Sequence, residues 1–183
     1  MASPFGLPLP KLTLPTSNPA LLPLLSTTAS ASIAIYEALF FNGLIKASHH
    51  DNRSTARTIS LWWKTTLPEG LAVILALGLT STVSGIRAIR AFRSGSRERY
   101  VAIAGTVFAV GHFLFGPRVA RIVQGMAEAY DGLDGIEAEE EARGEIVDER
   151  VVGLQRRWLR AHAWRSWVMD GPAVLCFGWL VLG

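Results

Sequence analysis

Apolar residues along this chain gather into four long runs, with polar connectors between them. A helix needs about 20 mostly apolar residues to cross a bilayer core. Four stretches meet that need, at about residues 20–45, 67–89, 100–123 and 158–183. The third is short on its own, from Tyr100 to Phe115, and gains length by continuing through Val119, Ile122 and Val123. The fourth is apolar from Trp164 onward, and an amphipathic stretch, Arg150 to Ala163, extends it outward. The pattern predicts an all-α, four-helix transmembrane bundle forming one domain over residues 20–183.

The connectors differ in character. Residues 1–19 read as a flexible tail, with Pro4, Pro8, Pro10 and Pro15 and a single charge at Lys11. A cleavable signal peptide, cut near Ala29 to Ser32, is the competing reading. Lys46 to Thr66 reads as a polar loop, with Thr65 or Thr66 capping the second helix and Pro68 in its first turn. Glu69 then falls in that first turn, where the helix dipole favours a carboxylate. Spans two and three are joined by Arg87, Arg90, Arg93, Arg97 and Arg99 around Gly95. Spans three and four are joined by an acidic loop, residues 127–149.

Composition sharpens this picture. Half of the residues are apolar and 18% are charged, against about 25% charged in an ordinary soluble domain. The net charge of +3 hides a strong segregation, because ten of the fifteen acids lie between Glu128 and Glu149. A single cysteine, Cys176, excludes a disulfide framework, a dithiol motif and a cysteine-rich zinc module. The pI of 9.4 comes with no basic surface interleaved with aromatic platforms, so nucleic acid is not an expected partner. Six basic residues in the tail and second loop (Lys11 and five arginines) exceed the four in the first loop (Lys46, Arg53, Arg57 and Lys64). That balance predicts both termini in the cytoplasm, and the expected membrane is the endoplasmic reticulum or a related endomembrane.

Against the apolar background, a few ionisable groups occupy costly positions. Ser26, Ser30 and Glu37 form a polar seam on the first span. Interhelical hydrogen bonding explains such a seam, and so does a pocket acid or base. His112 shares a face of the third span with Gly105, Ala109 and Gly116. On the fourth helix Trp158, His162 and Arg165 stand at i, i+4 and i+7, whereas Asp170, just before Gly171 and Pro172, points elsewhere. Pro172 is expected to kink the helix, and Asp170 to pair with a basic group. Trp158, Trp164 and Trp167 also fit an interfacial aromatic belt. His49, His50 and Asp51 form only a weak metal signal, best read as a solvated loop, so no metal is expected. No HExxH, phosphate loop, dinucleotide fingerprint or GxSxG elbow occurs.

Four spans, the Trp62–Trp63 pair, Gly70, Pro117, Arg121 and a W-x3-H-x2-R signature at Trp158, His162 and Arg165 together resemble the anthrone-oxygenase-like integral membrane family. That family is common in fungal polyketide pathways. The chain departs from it at Gly116–Pro117–Arg118, where members often show Pro–Thr–Asn, and at His162, where many carry asparagine. The resemblance implies cofactor-independent chemistry on a flat, hydrophobic aromatic polyketide. A base removes an acidic benzylic proton, the electron-rich anion reacts with O2, and loss of water gives a quinone. His162 or His112 would be the base, Arg165 the oxyanion stabiliser, and Glu37 an orienting group or the base itself. Trp158 and Trp63 would stack on the substrate, with Arg121 and Asp170 as further contacts. The partners implied are a lipophilic small molecule, molecular oxygen and the bilayer, with self-association left open.

Three alternatives stay open. One is a membrane acid–base enzyme, an epoxide hydrolase or cyclase on a lipophilic polyketide. Another is a haem protein using His112 and His162 as axial ligands. The last is a non-catalytic scaffold whose polar groups lock helices together.

Overall fold

The computed structural model describes residues 18–131 and 139–183, the side chains of 139–143 excepted. The expected proline-rich tail lies almost wholly outside the described residues, as does the part of the acidic loop at 132–138. Among the described residues every regular element is helical. In chain order these are α1 (Leu21–Ala47), α2 (Asn52–Ala91), α3 (Arg97–Gly111) and α4 (Gly116–Ala127), then α5 (Glu139–Arg165) and α6 (Gly171–Leu182). A 3-10 turn, His112–Phe115, joins α3 to α4, and a π turn, Ser166–Asp170, joins α5 to α6. The result is four helical columns: α1, α2, α3 with α4, and α5 with α6.

Three helices, Leu21–Ala47, Asn52–Ala91 and Arg97–Ala127, are long and apolar enough to cross a membrane. Their outward faces are apolar in the way a lipid-facing surface requires. Ile35, Tyr36 and Leu39 on α1, Leu71, Leu79 and Val83 on α2, and Val107 and Leu114 in the third column are all exposed. A soluble protein rarely leaves so much contiguous apolar surface uncovered. Trp164 and Trp167 are exposed, whereas Trp158, also counted in the expected aromatic belt, is buried in the core.

The second helix begins much earlier than the apolar run predicts. α2 starts at Asn52, and the Asp51 side chain caps it by accepting from the Ser54 amide at 2.8 Å. Thr65 and Thr66 are therefore not caps; their hydroxyls bond back to the carbonyls of Leu61 and Trp62 at 2.8 and 2.6 Å. Pro68 lies inside the helix and Glu69 is an exposed mid-helix residue, so the first-turn dipole argument does not apply to it. The physical reason is that Asn52 to Leu67 contains neither glycine nor proline. Ala56, Ile59 and Trp63 also recur at helical spacing and are buried. At 40 residues α2 is about 60 Å long, roughly twice the hydrocarbon thickness. The expected acidic loop is likewise shortened, since α5 begins at Glu139 in a run of helix-favouring glutamate and alanine.

Two separate cores hold the columns together. One gathers Phe41, Ile59, Trp63, Val123, Met126, Val151 and Trp158. The other gathers Ala20, Ala88, Ala102, Phe177 and Leu180. Each column contributes to both, so the chain runs up and down between two ends. The first described residue, Asn18, and the last turn of α6 lie at the alanine-rich end, where Asn18 Nδ2 donates to the Leu180 carbonyl at 2.9 Å. Near that end Ser81 donates to Ser26 at 2.8 Å, tying α2 to α1. At Gly85 a methyl group would stand 2.5 Å from Thr106 Oγ1, so α2 and α3 approach closely there. Between the two cores lies a layer of buried polar groups.

Candidate functional site

Both helix irregularities are written in the sequence by proline. Pro172 has no amide hydrogen to reach the Val168 carbonyl, and its ring crowds that oxygen. The backbone widens instead, and the Gly171 amide bonds to the Ser166 carbonyl. Pro117 stands in the same relation to Phe113, and there the turn tightens, with the Gly116 amide bonded to the Phe113 carbonyl. His112 opens the tightened turn and Asp170 closes the widened one. π turns of this kind recur at functional sites.

The two side chains meet. His112 Nδ1 donates to Asp170 Oδ1 at 2.8 Å, with both groups buried. The carboxylate fixes the ring tautomer, which leaves Nε2 as the basic nitrogen. Asp170 Oδ2 lies 3.5 Å from Arg165 Nε, so one carboxylate is shared between an imidazole and a guanidinium. Asp170 therefore does not point away from the group, as an ideal helix predicts. An i→i+5 turn brings it back over Arg165, and its basic partners are these two residues.

His162 belongs to a second cluster. It is 1% exposed, and its Nε2 donates to the Ala34 carbonyl at 3.2 Å. Glu37 Oε2 lies 3.6 Å from the same nitrogen. Trp158 stacks on the ring at 4.4 Å between centroids, tilted by 21°. His162 Nδ1 is buried without a hydrogen-bond partner among the described residues.

Both clusters border one cavity of about 450 Å3. Glu37, His112, His162 and Arg165 supply its polar wall, and Trp62, Trp63, Trp158, Phe113 and Phe115 its aromatic wall. Leu67, Ile74, Val119 and Val123 belong to its apolar lining, and Thr66, Gln124 and Glu128 add further polar groups. The volume falls in the range of small-molecule pockets, and the mix of apolar walls with a few converging polar groups is typical of them. Leu71 and Leu75 of α2 border it opposite Gly116 and Ala120 of α4, and all four are exposed. The cavity thus opens sideways between α2 and α4, onto the apolar flank.

Of the eight residues singled out from the sequence, Glu37, Trp63, His112, Trp158, His162 and Arg165 line this cavity. Asp170 stands behind His112. Arg121 does not join them; it lines a separate groove between α4 and α5. Two contributors escaped sequence reasoning. Gln155, fully buried, accepts from Trp63 Nε1 at 2.8 Å. It extends the Trp158, His162 and Arg165 face by one turn, a spacing that could have found it. Phe41 stacks on Trp63 at 5.3 Å and 5°, and nothing separates it in sequence from other apolar residues of α1. Among the described residues no group of three or more histidine, cysteine, aspartate or glutamate side chains is placed to hold a metal ion.

No family model matches the chain, and neither a curated protein nor a solved structure matches it.

Proposed function

We propose that the chain is a four-span membrane enzyme, a helical bundle whose side-opening cavity takes a flat, hydrophobic aromatic polyketide from the lipid phase. The fourth span is the α5–α6 column, with Arg165 and Asp170 turned inward. The observation that carries the reading is the His112–Asp170 pair at the wall of an aromatic cavity. An imidazole held by a carboxylate at Nδ1, with no hydrogen bond to Nε2 among the described residues, is the arrangement of a general base. For an anthrone, His112 accepts the acidic benzylic proton and Arg165 stabilises the resulting phenolate–enolate. The anion adds O2 at that carbon, a proton returns to give the hydroperoxide, and loss of water leaves the quinone carbonyl. No cofactor enters this scheme. The test is turnover of a hydroxylated anthrone under 18O2 by the purified protein and by its H112A variant. Label in the new carbonyl with the wild type, and none above background with H112A, is the expected result.

Glu37 favours a second reading, because it places a carboxyl group in the same cavity as the His112–Asp170 pair. An acid and a base sharing one cavity could open an epoxide with water or with an internal hydroxyl. In that case oxygen label enters from H218O, or not at all, and O2 is not consumed.

The structure also groups the basic residues by end. Lys46, Arg53, Arg57, Lys64, Arg118, Arg121, Arg150, Arg156, Arg157 and Arg160 all belong to helix segments at the end away from the termini. The sequence-based count left the last six out. With them included, the positive-inside balance favours that end, rather than the termini, in the cytoplasm of an endomembrane. Accessibility of an epitope tag at Gly183 in sealed microsomes reads the orientation directly.

A further inference from the structure

Arg121 leads to a second site. A groove of about 950 Å3 runs between α4 and α5, and Arg118, Arg121, Arg157 and Arg160 line it. Each helix contributes two arginines three residues apart. Like charges at that spacing repel one another on a helix surface, and here two such pairs face each other. Among the described residues none of the four lies within ion-pair distance of a carboxylate. Such a cluster is stabilised by an anion that several guanidinium groups share, and phosphate suits their fork of donors. The groove also has an apolar side. Leu114, 78% exposed, and Trp164, 65% exposed, line it. Both face outward on columns whose flanks are lipid-like in character. A soluble anion has no use for that side, whereas a lipid places its phosphate among the arginines and its first acyl carbons against Leu114 and Trp164.

We propose that this groove binds the phosphate head group of an anionic membrane lipid, one carrying a phosphomonoester. Basic pockets between spanning helices serve this purpose generally, and each arginine near an anionic surface adds to the attraction. The inference rests on the membrane placement and is independent of the chemistry in the central cavity. Phe115 borders both spaces, so an occupied groove also steadies one wall of that cavity.

The full-length protein, purified in detergent, is mixed with phosphatidic acid or phosphatidylcholine and bound lipid is counted by native mass spectrometry. Phosphatidic acid is expected to be retained about tenfold or more over phosphatidylcholine. The double variant R118Q/R157Q, one change on each helix, should lose that preference. R90Q/R93Q, at the opposite end, should keep it. Thermal melting without added lipid checks that the variants fold, and melting with short-chain phosphatidic acid or inorganic phosphate separates the two anion sources. Stabilisation by the short-chain lipid alone supports the proposal. Equal retention of both lipids, a preference unchanged in R118Q/R157Q, or equal protection by inorganic phosphate overturns it.

Discussion

His112 and Asp170, 58 residues apart in sequence, meet at 2.8 Å with the ring donating from Nδ1. A carboxylate in that position holds the ring in one tautomer and stabilises the imidazolium formed when Nε2 takes a proton. H112A should therefore lose turnover altogether. D170N keeps a side-chain oxygen but removes the charge, and kcat should fall by about 10²-fold or more. Circular dichroism and melting of both variants in detergent separate this loss from misfolding. Full activity in either variant removes His112 from the role of base.

Arg165 and Asp170 form a buried ion pair, each about 6% exposed. Removing one partner leaves an uncompensated buried charge, so R165M should destabilise the protein by roughly 3–5 kcal/mol. R165M/D170N should be less damaged than R165M alone. Denaturant titration of the single and double variants measures the coupling.

Trp63 donates to Gln155, whose amide nitrogen has no partner among the described residues. W63F leaves Gln155 with no partner at either end and should cost about 1–3 kcal/mol. W63F/Q155L should recover most of that loss, because both polar groups are then gone. If the cavity holds an aromatic substrate, W63F should raise KM more than it lowers kcat.

Gly85 faces Thr106 across the α2–α3 crossing, with space for hydrogen only. G85A should destabilise by about 1–3 kcal/mol as Thr106 is displaced. G70A, where a methyl group meets nothing within 4 Å, is the control and should melt like the wild type.

Tyr130 lies past the end of α4, outside the spanning segments, and its hydroxyl donates to Asp148 on α5. Burial first, then the hydrogen bond and the charge of Asp148, push its phenol above the ordinary tyrosine value. The folded state then holds the proton more tightly than the unfolded chain. The contribution is fully present below about pH 10, the unfolded value, and declines as pH rises through the folded one. Alkaline unfolding of Y130F should show a flatter pH dependence above pH 10 than the wild type.

Helical content and the apolar spans were legible because they depend on composition over long windows. The beginning of α2 was not, because a run of hydropathy reports where lipid lies rather than where a helix begins. Asp51, Ala56, Ile59 and Trp63 carried the missing signal as a cap followed by buried positions at helical spacing. Trp158, His162 and Arg165 could be aligned from their spacing because α5 is a regular helix to Arg165. Asp170 could not. Five residues on from Arg165 is about 140° away around an ideal α-helix, and only the widened turn before Pro172 closes that gap. Which histidine pairs with which acid depends on contacts between columns, and no periodicity within one helix encodes that.

The two cores differ in make-up, and the cavity borders only one of them. One end packs Ala20, Ala88 and Ala102 around Phe177 and Leu180, while the rings of Phe41, Trp63 and Trp158 crowd the other. The cavity is lined by Trp63, Val123 and Trp158 of the ring-rich core and by no buried residue of the other. An Ala88→Leu or Ala102→Leu change therefore overpacks a core remote from the cavity, and should lower the melting temperature while leaving the lining untouched.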